Sequence, residues 1–316
     1  MDNDAPSPVD PDDIERAAAR IGDRVRRTPI VDHGSLLLKL ELMQHAGSFK
    51  TRGAFNRVLG ESAIPAAGLI AASGGNHGAA LSYVGRALGI PVEIFMPSTS
   101  PELKRRNCER FGATVRMIDG YYDDAQAAAD ARRASTGAME IHPYDHPGTI
   151  AGQGTMGREL EQQTERIDTV LVAAGGGGFI AGQAAWFRDR VRIVSVEPET
   201  SQCLRAARLA GTPVDVDVSG LAADSLGARR LGSSPWAVVR RFVDDSVVVP
   251  DDAIRVAQRE LWDELRLVAE PGGAAALAAV RTGAYRPAAG ERVVVVVCGS
   301  NCDPGTVVTS PADEGR

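Results

Sequence analysis

VLVAAGGGGFIAGQAAWF, residues 170–187, passes from a β-branched apolar run through four consecutive glycines into an alanine-rich apolar run. The first part reads as a buried strand and the last as a helix. A strand that turns directly into a helix is the repeating unit of a parallel α/β sheet. Glycines at the join let the backbone approach a ligand, and the N–H groups there, with the positive end of the helix dipole, suit an anion. Gly175, Gly176, Gly177 and Gly178 are therefore a candidate phosphate cradle, with a flexible turn as the plain alternative.

The pattern repeats outward from this stretch. Apolar runs at 36–40, 69–72, 92–96, 114–118, 169–174, 191–196 and 293–297 alternate with helix-spaced segments at 78–88, 101–111, 122–134, 148–162, 179–190, 251–266 and 272–281. The near-continuous apolarity of the runs predicts strands buried on both faces, as in a parallel sheet covered by helices. The expected class is α/β. The polar first ten or so residues and the tail after Thr309 lack periodicity and are expected to be disordered.

Composition removes several function classes. The 316 residues carry 35 Lys and Arg against 41 Asp and Glu, a net charge of −6. The basic residues are scattered, with no block or aromatic interleaving, which argues against a nucleic-acid partner. Cys108, Cys203, Cys298 and Cys302 form no C-x-x-C pair and read as reduced thiols. The acidic, proline-rich start MDNDAPSPVDPDD is the opposite of a signal peptide, and residues 293–298, the longest apolar stretch, fall far short of the ~20 that cross a bilayer. A cytoplasmic protein without a membrane partner is expected.

Two further segments could carry chemistry. AASGGNHG, 71–78, again joins a strand to a helix, and Ser73, Gly74, Gly75, Asn76 and His77 combine close backbone approach with polar groups; Asn76 or His77 could equally cap the helix. GSFKTRGA, 47–54, sets Lys50 beside Phe49. A lysine in apolar surroundings has a lowered pKa and serves as a Schiff-base nucleophile, whereas an isolated lysine is by default a surface group. Two matches fail their context. GQGTMG, 152–157, has the G-x-G-x-x-G spacing but no strand before it, and His142, Asp145 and His146 in HPYDHP lie among prolines that favour a turn over a metal cluster. No G-x-S-x-G elbow for a serine hydrolase is present.

Taken together and in order, RTPI (27–30), LKLELMQHAGSFKTRGAFN (38–56), ASGGNHG (72–78), the stretch from HPYD to AGQGT (142–155), GGGGF (175–179), VEPE (196–199), AEPGGAAALAA (269–279) and CGSN (298–301) resemble the fold-type II pyridoxal 5'-phosphate (PLP) enzymes. Within that group the resemblance is to serine/threonine dehydratases and serine racemases, and it spans about residues 11–305. It implies two open parallel-sheet α/β domains, a large one from 1–67 and 146–316 and a small one from 68–145, with the active site between them. Lys50 would carry PLP and, once freed, remove the substrate α-proton. Phe49 would pack beside the cofactor ring, Asn76 would bond its 3'-oxygen, Gly175–Gly178 would hold its phosphate, and Cys298 would face its pyridine nitrogen. Ser73–His77 would bind the substrate carboxylate. A homodimer acting on a hydroxy amino acid is the implied assembly.

Residue choices within these motifs favour elimination. A thiol at Cys298 cannot keep the pyridine nitrogen protonated as a carboxylate would, so a long-lived carbanion is disfavoured and loss of a β-leaving group is favoured. Thr51-Arg52 after the lysine resembles dehydratases, not the cysteine and threonine synthases. Racemases similar to this chain place a serine where Gly74 stands, so a racemase would lack its second base. Glu197 of VEPE is a cation ligand in some relatives, but Cys203 stands where a second carboxylate would be needed, so no metal is expected. The implied activity is β-elimination from L-threonine, L-serine or a related 3-hydroxy amino acid, with a serine racemase or a non-catalytic PLP-binding protein as alternatives.

Overall fold

Short apolar runs, too short to be helices, become two sheets: residues 36–39, 69–72, 169–173 and 293–296 are buried throughout, whereas the edge run 114–118, expected to be buried on both faces, is largely exposed. The structure, a computed structural model, describes residues 7–308. Its strands are β1 (Ile30–His33), β2 (Leu36–Lys39), β3 (Leu69–Ala72), β4 (Val92–Pro97), β5 (Thr114–Ile118), β6 (Met139–Glu140), β7 (Thr169–Ala173), β8 (Arg192–Pro198), β9 (Asp245–Val249) and β10 (Val293–Val296). Its α-helices are α1 (Pro11–Ile21), α2 (Lys50–Leu59), α3 (Asn76–Leu88), α4 (Glu102–Glu109), α5 (Tyr122–Thr136), α6 (Pro147–Gln163), α7 (Gly178–Phe187), α8 (Cys203–Ala210), α9 (Ala223–Leu226), α10 (Ser233–Phe242), α11 (Asp251–Leu265), α12 (Pro271–Arg281) and α13 (Gly305–Val308).

The larger sheet has the order β1-β2-β10-β7-β8-β9 and the smaller β5-β4-β3-β6. All neighbours are parallel except β1, which pairs antiparallel with β2. The segment IVDHGSL thus forms an edge hairpin, turning at Gly34 with φ +65° between the paired His33 and Leu36. Residues 69–140 supply every strand of the smaller sheet, and both flanks of the chain supply the larger one. The core beneath the smaller sheet also takes Ile21, Ala46, Ala54, Phe55 and Val58, which precede residue 67.

Each of the seven expected strands is present. The expectation of disorder needs correction at its inner edge: Val9 is buried, and Asp10 caps α1 in a reciprocal capping box with Asp13. The acidic, proline-rich composition there is that of a capped helix start, with Pro11 at the first turn. Residues 1–6 and the tail from Thr309 lie outside the described residues. GQGTMG is the middle of α6, and its glycines serve packing. A Cβ on Gly152 would lie 2.7 Å from the Arg52 carbonyl, and one on Gly154 would lie 2.9 Å from that of Gly182. Backbones of α2, α6 and α7 therefore meet directly. Among the described residues no helix is long and apolar enough to cross a membrane.

Candidate active site

The carboxyl ends of β7 and β10 and the amino ends of α2, α3, α7 and α12 converge on a narrow cavity that is partly open to solvent. Phe49, Lys50, Asn76, Gly175–Gly178 and Cys298, named separately from the sequence, all line it. So do Tyr144, Phe179, Ser225, Leu226 and Glu270, which the sequence did not single out. An acid immediately before Pro-Gly-Gly at a helix start is the one local signal that could have exposed Glu270; the others have none.

Lys50 opens α2 and points its ammonium to the Pro143 carbonyl at 3.0 Å. Burial lowers its pKa to about 8, opposed by the nearby Glu270 carboxylate. At pH 7 about a tenth of such an amine is neutral, the form able to act as a nucleophile or a base. The helix is anchored two residues on by Arg52, buried and bonded through two nitrogens to Glu41 at 2.8 Å and to Glu159 at 2.9 Å. Lys39 completes this network from β2 through Glu159. Phe49 stacks on Phe179, with ring centroids 3.9 Å apart.

The glycine turn faces the lysine from the end of β7. None of the N–H groups of Gly175, Gly176, Gly177 and Gly178 meets an acceptor among the described residues, and Gly177 adopts φ +89°, which only glycine takes at little cost. Gly176 and Gly178 are glycine for a second reason. A Cβ on Gly176 would meet the Tyr144 ring at 2.4 Å, and one on Gly178 the Tyr144 carbonyl at 2.8 Å. Four unpartnered donors ahead of a helix suit an anion. This cradle, with a low-pKa amine across the cavity, fits a phosphorylated aldehyde such as PLP.

Asn76 is held on both sides: its amide donates to Glu270 and accepts from Asn301 at 2.6 Å. Burial raises the Glu270 carboxyl, opposed by the Asn76 hydrogen bond and Lys104. Cys298 donates its thiol to the Gly272 carbonyl at 3.3 Å, and burial pushes it well above the usual thiol range, so it remains neutral.

The segment 73–77 divides its tasks. Ser73 Oγ accepts from the N–H groups of Gly75 and Gly78, capping the start of α3. The His77 ring turns away from the cavity and donates to the Ile141 carbonyl at 2.6 Å; burial, with help from the charge of Lys50, depresses it to about 3. Backbone N–H groups at the head of α3, not these side chains, are what the segment offers an anion. Beside Gly74 the space is occupied: an ideal Cβ there would lie 2.7 Å from Ser100 Oγ. In HPYDHP each polar group serves a turn or a cap. His142 Nδ1 accepts from the N–H groups of Tyr144 and Asp145, Asp145 caps α10 through Ser233 and Ser234, and His146 caps α6.

Comparison with known proteins agrees with this geometry. The family model described as pyridoxal-phosphate dependent enzyme matches residues 21–299. A biosynthetic L-threonine dehydratase of Pasteurella multocida is 35% identical over 297 residues, 90% of this chain and 58% of that protein. A serine racemase of Oryza sativa is 33% identical over 310 residues, covering 93% of this chain and 91% of its own. The solved structure of maize serine racemase superposes with a TM-score of 0.90 at 32% identity, over 97% of this chain and 98% of that one. The chain thus spans little more than half the length of such dehydratase relatives. The family match runs from the end of α1 past Cys298 and so takes in the lysine, the glycine turn and every wall of the cavity: the chain belongs to the pyridoxal-phosphate dependent enzymes.

Proposed function

We propose that the protein is an ammonia-lyase that converts L-threonine, L-serine or a related 3-hydroxy amino acid to the 2-oxo acid and ammonia. The observation that carries this is Lys50: an amine with a pKa near 8, directed into a cavity whose opposite wall presents four unpartnered N–H groups. Lys50 would carry PLP, Gly175–Gly178 would hold its phosphate, Phe49 would flank its ring, Asn76 would bond its 3'-oxygen and Cys298 would face its pyridine nitrogen. Bound PLP supplies an electron sink for the substrate Cα. The neutral thiol of Cys298 adds no negative charge there, which favours prompt loss of the β-substituent over a long-lived carbanion.

The substrate carboxylate sits against the backbone N–H groups of Gly74, Asn76 and His77, those of Ser73 and Gly75 being bonded to Phe95 and Ser73, which turns the Cα–H bond toward Lys50. The freed Lys50 amine takes the α-proton, and the C–O electron pair leaves with the β-hydroxyl, which takes up the proton held on Lys50 and departs as water. The released enamine then consumes one water, giving the 2-oxo acid and ammonium. Closure of the 68–145 part over the cavity excludes solvent. The family resemblance supports a homodimer, and the free thiols of Cys108, Cys203, Cys298 and Cys302 support a cytoplasmic enzyme.

The racemase relatives favour a second reading, inversion of serine, and Gly74 weighs against it. Products from purified protein with L-threonine and L-serine decide: 2-oxo acid supports the lyase, D-amino acid the racemase, and no turnover a PLP-binding protein without catalysis.

A further inference from the structure

Three consecutive peptide planes run along the glycine turn, and each is held by a donor on its carbonyl. Gly177 O accepts from Ala181 N within α7 at 2.9 Å, and Gly176 O accepts from Gly232 N at 3.2 Å. Gly175 O accepts from a side chain, the Cys203 thiol, at 3.1 Å. In a trans peptide the carbonyl oxygen and the following N–H point in opposite directions. Fixing Gly175 O behind the wall therefore aims the N–H of Gly176 forward into the cavity. Glycine flanks this plane on both sides, so backbone sterics do little to prevent it from flipping.

The turn that bears the thiol is itself rigid. Glu197, at the end of β8, accepts from Leu204 N and Arg205 N at 2.8 Å each and so caps α8. Glu199 N bonds the Val249 carbonyl of β9. Ser201 Oγ donates to the Leu226 carbonyl at 2.9 Å, reaching a second wall of the cavity. Glu197, Ser201 and Cys203 are all buried, and burial keeps the thiol protonated and able to donate.

We propose that Cys203 is a positioning residue for the cofactor phosphate: its hydrogen bond to Gly175 O sets the peptide plane that aims the Gly176 N–H at the phosphate. This rests on the assignment of Gly175–Gly178 as the phosphate site. Cys203→Ser keeps a donor, Cys203→Ala removes it, and Cys203→Val removes it while refilling the volume. Release of PLP from the holoenzyme, followed by absorbance, and the phosphorus NMR resonance of bound PLP are the readouts. Loss of one such hydrogen bond corresponds to about three- to tenfold faster release. That acceleration, with a moved phosphorus resonance, is expected for the Ala and Val variants, and near wild-type values for Ser. Excess PLP should restore kcat in the Ala variant with the amino-acid KM unchanged. Wild-type release from Cys203→Ala, or equal losses in Ser and Ala, overturns the proposal. Wild-type protein that takes up no PLP on Lys50 overturns the phosphate assignment itself, and is seen before any variant is made.

Discussion

Replacing Lys50 with methionine should make the cofactor-free protein more stable at neutral pH, although it removes the group on which turnover depends. Burial lowers the Lys50 pKa from 10.5 to about 8, and at about 1.4 kcal/mol per tenfold change this penalises the charged lysine in the folded state by about 3 kcal/mol. Methionine carries no such penalty. It forfeits the hydrogen bond to the Pro143 carbonyl, worth about 1 kcal/mol, leaving a net gain of about 2 kcal/mol. The sign with pH follows from proton counting. Between about pH 8 and 10.5 the unfolded wild-type chain holds a proton on Lys50 that the folded chain does not, so wild-type stability rises with pH there. The advantage of Lys50→Met should be full below pH 8, shrink above it and turn into a deficit of about 1 kcal/mol beyond pH 10.5, where only the lost hydrogen bond remains. Denaturant unfolding of both proteins, stripped of PLP, at pH 7 and near pH 10 measures it. Equal or lower stability of Lys50→Met at pH 7, or a gap that does not narrow with pH, would refute the reasoning.

Borohydride reduction of the holoenzyme should leave the pyridoxyl label on Lys50 in peptide maps, and recovery on another lysine would remove the basis of the proposed function. Gly176→Asp should weaken PLP binding strongly, because its Cβ would enter the Tyr144 ring at 2.4 Å and its charge would face a phosphate; titration of PLP by absorbance tests this, with an unchanged affinity placing the phosphate elsewhere. Gly74→Ser should raise the ratio of racemisation to elimination of L-serine, with Ser100 Oγ, 2.7 Å from the new Cβ, rotating aside. Chiral chromatography beside an oxo-acid assay reads the ratio, and wild-type protein that inverts serine faster than it forms pyruvate would sink the lyase reading. Glu41→Gln should cost about 3–5 kcal/mol in denaturant unfolding by leaving buried Arg52 without its bidentate partner, whereas a loss below about 1 kcal/mol would mean that Glu159 alone compensates.

The sequence by itself determined the fold class and the positions of the strongly apolar strands. A run such as residues 293–297 reports its own burial, and a glycine turn between a strand and a helix reports its own geometry. Short or half-buried elements escaped this reading: β6 has two residues, β9 opens with Asp245 and Ser246, and the acidic start of α1 looks like a disordered tail until Asp10 is seen capping it. Sheet order was beyond local reading, since β10 comes last among the strands yet lies between β2 and β7. The glycine turn and Lys50 were legible as candidates because residue type and local context carry that information. What Lys50 can do was decided only by the tertiary structure, because its pKa depends on burial and on Glu270, more than 200 residues away along the chain. The same holds for Asn76, whose amide is oriented by Glu270 and Asn301, and for Cys203, whose thiol meets Gly175 across the turn after β8. Periodicity records whether a segment faces water or core, whereas protonation and hydrogen-bond direction depend on which distant groups the fold brings within a few ångströms.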